Sequence, residues 1–332
     1  MKKAVRALIA AMILLLVAGQ VFAGGQSDSG EKQMVVKAAH SMPTSYHYHD
    51  GMVKFAEETE KRTNGKIKVE VYPAAQLGEE RVTMEQLKLG AIPIVLTGIS
   101  DAYAPRTGVF YLPFLFKDSE HADRVLNGPV GMEVFKDLEK EHNMVTLSIW
   151  ENGFRQISNN KRPINTVADM QGLKLRTPEA PVYMETAKSF GASPTPMPFA
   201  ETATALIQGL VDGQENALLH ILANKTYEVQ KHIAVVNYMY GLAPLLTNKQ
   251  WLEALPQDEQ KALRDAAAVA NTHMRAVAKT RDGEAIKQFE AAGLTITRPD
   301  TSSFRAKVEP LYDTIFAQMY GKDLLDKIRA AQ

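Results

Sequence analysis

The 332-residue sequence contains no cysteine. That absence excludes disulfides, thiolate metal sites, cysteine nucleophiles and attachment of a lipid through a cysteine. Catalytic signatures are equally scarce. No GxSxG, P-loop, GxGxxG or HExxH pattern occurs, so the common nucleophile, phosphate, dinucleotide and zinc motifs are missing. This weakens an enzymatic reading without ending it. His47 and His49 sit two apart at an expected helix start and face different ways, so no metal pair is expected there. Neighbouring carboxylates such as Glu57 and Glu58, or Glu79 and Glu80, point apart on helices and read as solvated faces. Neither a metal nor a cofactor is expected. After the first 23 residues no apolar run approaches the roughly 18 residues of a membrane span. A basic block is also lacking, and without Lys2, Lys3 and Arg6 the chain holds 35 Lys and Arg against 38 Asp and Glu, which argues against a nucleic-acid partner.

What is present begins with a compartment signal. Lys2, Lys3 and Arg6 precede the apolar run ALIAAMILLLVA, and small residues close it at Ala23. Residues 1–23 are therefore expected to be a secretory signal peptide cleaved after Ala23, delivering the chain to the periplasm; retention as an anchor is the alternative. GGQSDSGEKQ, residues 24–33, reads as a flexible tether. About 309 residues remain, more than one core usually holds, and 45% hydrophobic composition suffices for two lobes.

The patterning that follows is α/β. MVVKAAH is a strand, SYHYHDGMVKFAEETEKRTNG a helix ended by Gly65, KIKVEVYP a half-buried strand stopped by Pro73, AAQLGEERVTMEQLKLG a helix and IPIVLTG another strand. Such alternation predicts a doubly wound architecture. FYLPFLF, residues 110–116, is expected in a core or an interlobe wall. A strand over Val145–Trp150, then Gly153, then a second strand carrying Arg155, Ile157 and Asn159 marks the hand-over between lobes. PTPMPF reads as an extended link and AETATALIQGLVDGQEN as a helix running into VDGQEN. HIAVVNYMYG is a strand over 232–241. The helical tract at 256–293 is expected to break at TRDGEA, and the tail adds one strand and one helix.

Polar side chains at strand ends supply the candidate chemistry. In GLKLRTPEAP, Leu173 and Leu175 face one way and Lys174 and Arg176 the other, and prolines at 178 and 181 then turn the chain. A guanidinium is thereby placed at a strand's carboxyl end, where ligands of open α/β sheets sit. Arg155 after ENGF and Asn216 in VDGQEN repeat the placement. Two rigid forks and an amide describe a site for an anion such as a carboxylate. On periodicity alone the alternative stays open that these arginines are strand-edge charges bridged to Asp212 and Glu215.

GFRQISNNKRPI, DMQGLKLRTPEAP, GASPTPMPFAETATALIQGLVDGQEN and YEVQKHI, in this order and spacing, resemble the substrate-binding proteins of tripartite ATP-independent periplasmic (TRAP) transporters. NGKIKVEVYPAAQLGEE and LPFLF extend the likeness through most of the chain. The resemblance implies a two-lobed periplasmic binding protein fold with crossing strands and a long bent helix. It suggests lobe I at 34–152 plus 240–281 and lobe II at 153–239 plus 282–329. It also implies a monomer that closes around an organic acid and delivers it to membrane permease subunits, with ion gradients supplying the energy. Carried over by position, Arg176 is the carboxylate clamp, Arg155 the second ligand-facing arginine, Asn216 the amide and Phe199 an aromatic wall. His40, Thr97, Gly98 and Glu79 are expected around the ligand, Pro178, Glu179 and Ala180 along the turn beside the clamp, and Glu151 and Tyr240 nearby. Glu179 disfavours a second anion and so favours a hydroxylated monoacid such as a uronate, an aldonate or a sialic-acid-like sugar, whereas Arg155 is equally able to serve the second carboxylate of a C4-dicarboxylate. A sensor with the same fold and an exported hydrolase are the competing readings.

Overall fold

A computed structural model describes residues 33–331 of the chain. The expected signal segment, and all of the expected tether except Gln33, lie outside them. Residues from Met34 onward form one compact unit built on a nine-stranded mixed sheet of order β2-β1-β3-β8-β4-β7-β5-β6, with β9 paired to β8. The strands are β1 Met34–Ala39, β2 Ile67–Tyr72, β3 Ile94–Leu96, β4 Met144–Asn159, β5 Lys174–Thr177, β6 Ser193–Pro196, β7 Gly213–Ala217, β8 His232–Asn248 and β9 Thr295–Thr297.

The centre of this sheet is a ribbon of two long antiparallel strands. β4 has 16 residues and β8 has 17, and they pair from Met144 opposite Asn248 to Asn159 opposite His232. At one end of the ribbon, β3 pairs with β8 and is followed outward by β1 and β2. At the other end, β7 pairs with β4 and leads to β5 and β6, while β9 pairs with β8. Two half-sheets, each largely parallel as βαβ connections require, are thus carried by one pair of crossing strands. Register shifts fall between Thr146 and Ser148, Glu151 and Gly153, and Arg155 and Ile157, which bends the ribbon at its middle.

Helices cover both faces. On one, the helix His47–Arg62 and the long helix Gln257–Ala291 pack with Trp150, Met52, Phe55, Leu263 and Met274. The other face carries the helices Pro129–His142, Pro181–Ser189 and Ser302–Tyr312 around Phe110, Tyr111, Phe135, Phe190 and Phe304. FYLPFLF contributes Phe110, Tyr111, Leu112, Leu115 and Phe116 to that core.

Several elements differ from expectation, each for a local reason. β4 is one continuous strand, because Gly153 at φ 114° accommodates the bulge without ending the pairing. The long helix runs unbroken through residues 280–285. Gly283 lies on its open side, Ala285 and Phe289 are buried just beyond, and Arg281 is fastened to Asp50 at 2.7 and 3.0 Å. The segment at 200–216 splits into a helix at Thr202–Ile207 and β7, since Gly209 takes φ 68° and turns the chain into the sheet. PTPMPF begins inside β6, an edge strand where missing proline donors face no partner. β8 extends seven residues past the expected end at Gly241. The helix expected at 74–90 spans only Glu80–Lys88, and the tail forms three helices after β9 rather than one.

Candidate functional site

A cavity of about 580 Å³ lies where the two half-sheets meet the middle of the ribbon. One wall comes from β5, β7 and the segment after β6; the other comes from the segments that follow β2 and β3. Nine of the expected site residues line it: Arg176, Arg155, Asn216, Phe199, Glu79, Gly98, Pro178, Glu179 and Ala180.

Arg176 is 3% exposed, and its Nε and Nη2 both donate to the Met197 carbonyl, at 3.2 and 2.8 Å. The Phe199 ring lies 5.7 Å from its Cζ. Among the described residues no carboxylate pairs with it. Burial lowers its pKa to about 10, against the opposing pull of Glu215, so the group remains a cation at neutral pH. A buried guanidinium bonded to a carbonyl and lining a cavity is chemically suited to pair with an anion.

Arg155 is in a different electrical state. Its Nε bonds Glu215 Oε2, and its Nη2 donates to Glu215 Oε1 and to the Glu215 carbonyl, each at 2.8 Å. The Tyr238 hydroxyl donates to the same carboxylate at 2.8 Å. Burial works against the Arg155 charge, but Glu215, aided by Tyr183 and Tyr238, offsets it, and the guanidinium's pKa lies above its ordinary value. The ion pair raised as an alternative from the sequence therefore exists at Arg155 and not at Arg176. Asn216 bonds His220 Nδ1 at 2.9 Å, and Phe199 stacks edge-on against the same imidazole at 4.3 Å. Burial, reinforced by Arg155 and Arg176, holds His220 neutral.

The facing wall is acidic. Glu80 accepts from the Gly98 N–H at 2.6 Å and from the Thr97 hydroxyl at 3.1 Å, and burial raises its pKa despite those bonds. Asp101, in the middle of the Ser100–Ala102 turn after β3, lines the cavity, although its Oδ2 is itself buried and unpartnered. Tyr111 donates its hydroxyl to the Gly98 carbonyl at 3.1 Å. Glu179 does not press its charge on the clamp as expected, because Arg81 takes it at 2.7 Å on the exposed rim.

Four expected residues are not on the cavity wall. His40 is buried against His49, 3.3 Å away, with its pKa lowered to about 3 chiefly by burial. Thr97 stands behind the wall, holding Glu80. Glu151 and Tyr240 face the long helix, where Arg275 reaches them at 3.1 and 3.2 Å. The sequence reading missed Glu80, Asp101, Tyr183, His220 and Tyr320 on the wall. Asp101 lies in the turn beyond β3 and not at the strand end, so the strand-end rule that selected Arg176 passed it over. His220 was hidden by taking β7 as the tail of a helix.

A cleft bordered by two half-sheets on shared crossing strands, with the buried Arg176 guanidinium on its wall, is the architecture of a two-lobed solute-binding protein. The family model of the bacterial extracellular solute-binding proteins, family 7 (DctP), matches residues 38–319, and the chain belongs to that family. It is 38% identical over 297 residues to a solute-binding protein of Verminephrobacter eiseniae, covering 88% of each chain. Over 278 residues it is 34% identical to the sialic acid-binding periplasmic protein SiaP of Vibrio cholerae, covering 83% of this chain and 86% of the other. A TRAP periplasmic solute-binding protein of Polaromonas, solved bound to D-erythronate, superposes with a TM-score of 0.85 at 36% identity, covering 90% of this chain and 99% of that one. The chain is a TRAP solute-binding protein and not an enzyme, and its family is extracytoplasmic.

Proposed function

We propose that the chain captures an organic acid, a sugar acid or a dicarboxylate, by pairing a ligand carboxylate with Arg176, closes over it and delivers it to TRAP permease subunits. One observation carries the reading: Arg176 is a buried fork without an anion, on a cavity of about 580 Å³. The paired Arg155 and Glu215 leave Arg176 as the net charge at this wall, which suits one carboxylate. Relatives described as binding sialic acid and D-erythronate support the ligand class. In this reading the chain is exported by its first 23 residues and works as a monomer. Residues 34–152 plus 240–281 form one lobe and 153–239 plus 282–329 the other, and the crossing strands flex between them.

The test is a thermal-shift screen of the chain from residue 24 against about 100 organic acids, with neutral sugars as controls. A ligand at about 100 times its Kd stabilises by about 2.7 kcal/mol. Arg176→Ala is expected to weaken the best acid about 100-fold while leaving the fold intact, since a charge-assisted pair contributes up to about 3 kcal/mol. Arg176→Lys is expected to bind poorly as well, because a point charge cannot reproduce the fork. Recovered ligand is expected chemically unchanged. Parental affinity in both variants refutes the clamp.

A further inference from the structure

The cavity has unlike walls. Arg176 belongs to β5 and Arg155 to the stretch of β4 paired with β7, whereas Glu80 and Asp101 follow β2 and β3 in the other half. A ligand bridging the cleft from Arg176 therefore meets acids. The two acids are not equivalent. Glu80 Oε1 is occupied by the Gly98 N–H and the Thr97 hydroxyl, at 2.6 and 3.1 Å. Asp101 Oδ2 is enclosed and has no hydrogen-bond partner. Burial, helped by the neighbouring Glu80 charge, raises Asp101 to about 6 against the pull of its own and the Ala102 backbone N–H, which leaves it mostly ionised at neutral pH. Arg81, the cation that acts on Asp101, is committed to Glu179 at 2.7 Å. Tyr111 turns its hydroxyl to the Gly98 carbonyl, so it does not satisfy Asp101 either.

We propose that Asp101 restricts this cavity to ligands with a single carboxylate, accepting a hydrogen bond from a hydroxyl at the end of the ligand remote from Arg176 and repelling a second carboxylate there. The inference rests on the reading of Arg176 as the carboxylate clamp. A carboxylate on the cavity wall gains a donor from a ligand hydroxyl, and Arg81, the cation on that wall, is already paired with Glu179, so a second anion meets Asp101 without a free counter-charge. The discrimination is built as repulsion of the wrong ligand as much as attraction of the right one.

The experiment is calorimetric titration with aldonates of four to six carbons, the matching aldarates that differ only by a carboxylate at the terminal carbon, and succinate and malate. The parent is expected to bind an aldonate tightest and its aldarate at least about tenfold more weakly, a difference of about 1.4 kcal/mol or more. Asp101→Asn keeps the shape, removes the charge and is expected to narrow that ratio to within about threefold, mainly by tightening the aldarate. Asp101→Ser is measured alongside, so that a folding defect in one variant does not leave the ratio unread. A parent that prefers any diacid overturns the inference, as does an unchanged ratio in variants that still bind the aldonate. Acid binding that survives Arg176→Ala, or no acid binding at all, instead overturns the clamp reading and this inference with it.

Discussion

Arg155 commits its guanidinium to Glu215, while three residues into β5 Arg176 holds only a carbonyl. The buried charges of this molecule differ in whether a partner reached them, and that difference sets their pH behaviour. Asp282, on the long helix, has none among the described residues; burial and the Glu151 charge push it up to about 7. Its folded pKa is raised above its unfolded value near 4, so its contribution to stability is complete below about pH 4 and is lost as pH rises through about 7. Asp282→Asn is therefore expected to be more stable than the parent at pH 8 by at least about 1 kcal/mol, with the gap closing toward pH 4. Urea unfolding at both pH values checks this, and a gap that does not change with pH contradicts it. At this scale Arg176 was legible in the sequence because alternation and two prolines fix where it points. Adjacent acids are harder. Nothing in QLGEE says which of Glu79 and Glu80 turns inward, and the helix beginning at Glu80 decides it.

In the proposed mechanism the crossing strands are the element on which closure depends. Gly153 of β4 pairs with Gly241 of β8 beside the central bulge, whose extra residue is Asn152. Gly153 sits at φ 114°, where an added Cβ is strained and meets the Ala217 Cβ at 3.3 Å. Gly153→Ala is expected to cost about 1–3 kcal/mol in urea unfolding and to weaken ligand binding. Full stability and affinity in that variant remove this hinge from the account. The early βαβ alternation could be read in advance because hydrophobic period and turn residues agree there. β7 could not. VDGQEN is polar on both faces, and its strand identity comes from being buried between β4 and β5. TRDGEA looked like a helix break, yet the ion pair of Arg281 with Asp50 and the buried Ala285 and Phe289 carry the helix through it.

At the scale of the whole molecule, two half-sheets are joined through the β4–β8 ribbon, and the long helix packs against it. Such a frame lets ligand binding favour a closed state only to the extent that the ligand contacts both walls, which is the role assigned to Arg176 on one and Asp101 on the other. The most direct measurement is a crystal structure of the chain with the tightest acid from the screen. The account predicts a ligand carboxylate in two parallel hydrogen bonds to the Arg176 guanidinium, with Arg155 still paired to Glu215. A carboxylate seated elsewhere, with Arg176 bonded only to the Met197 carbonyl, would contradict it.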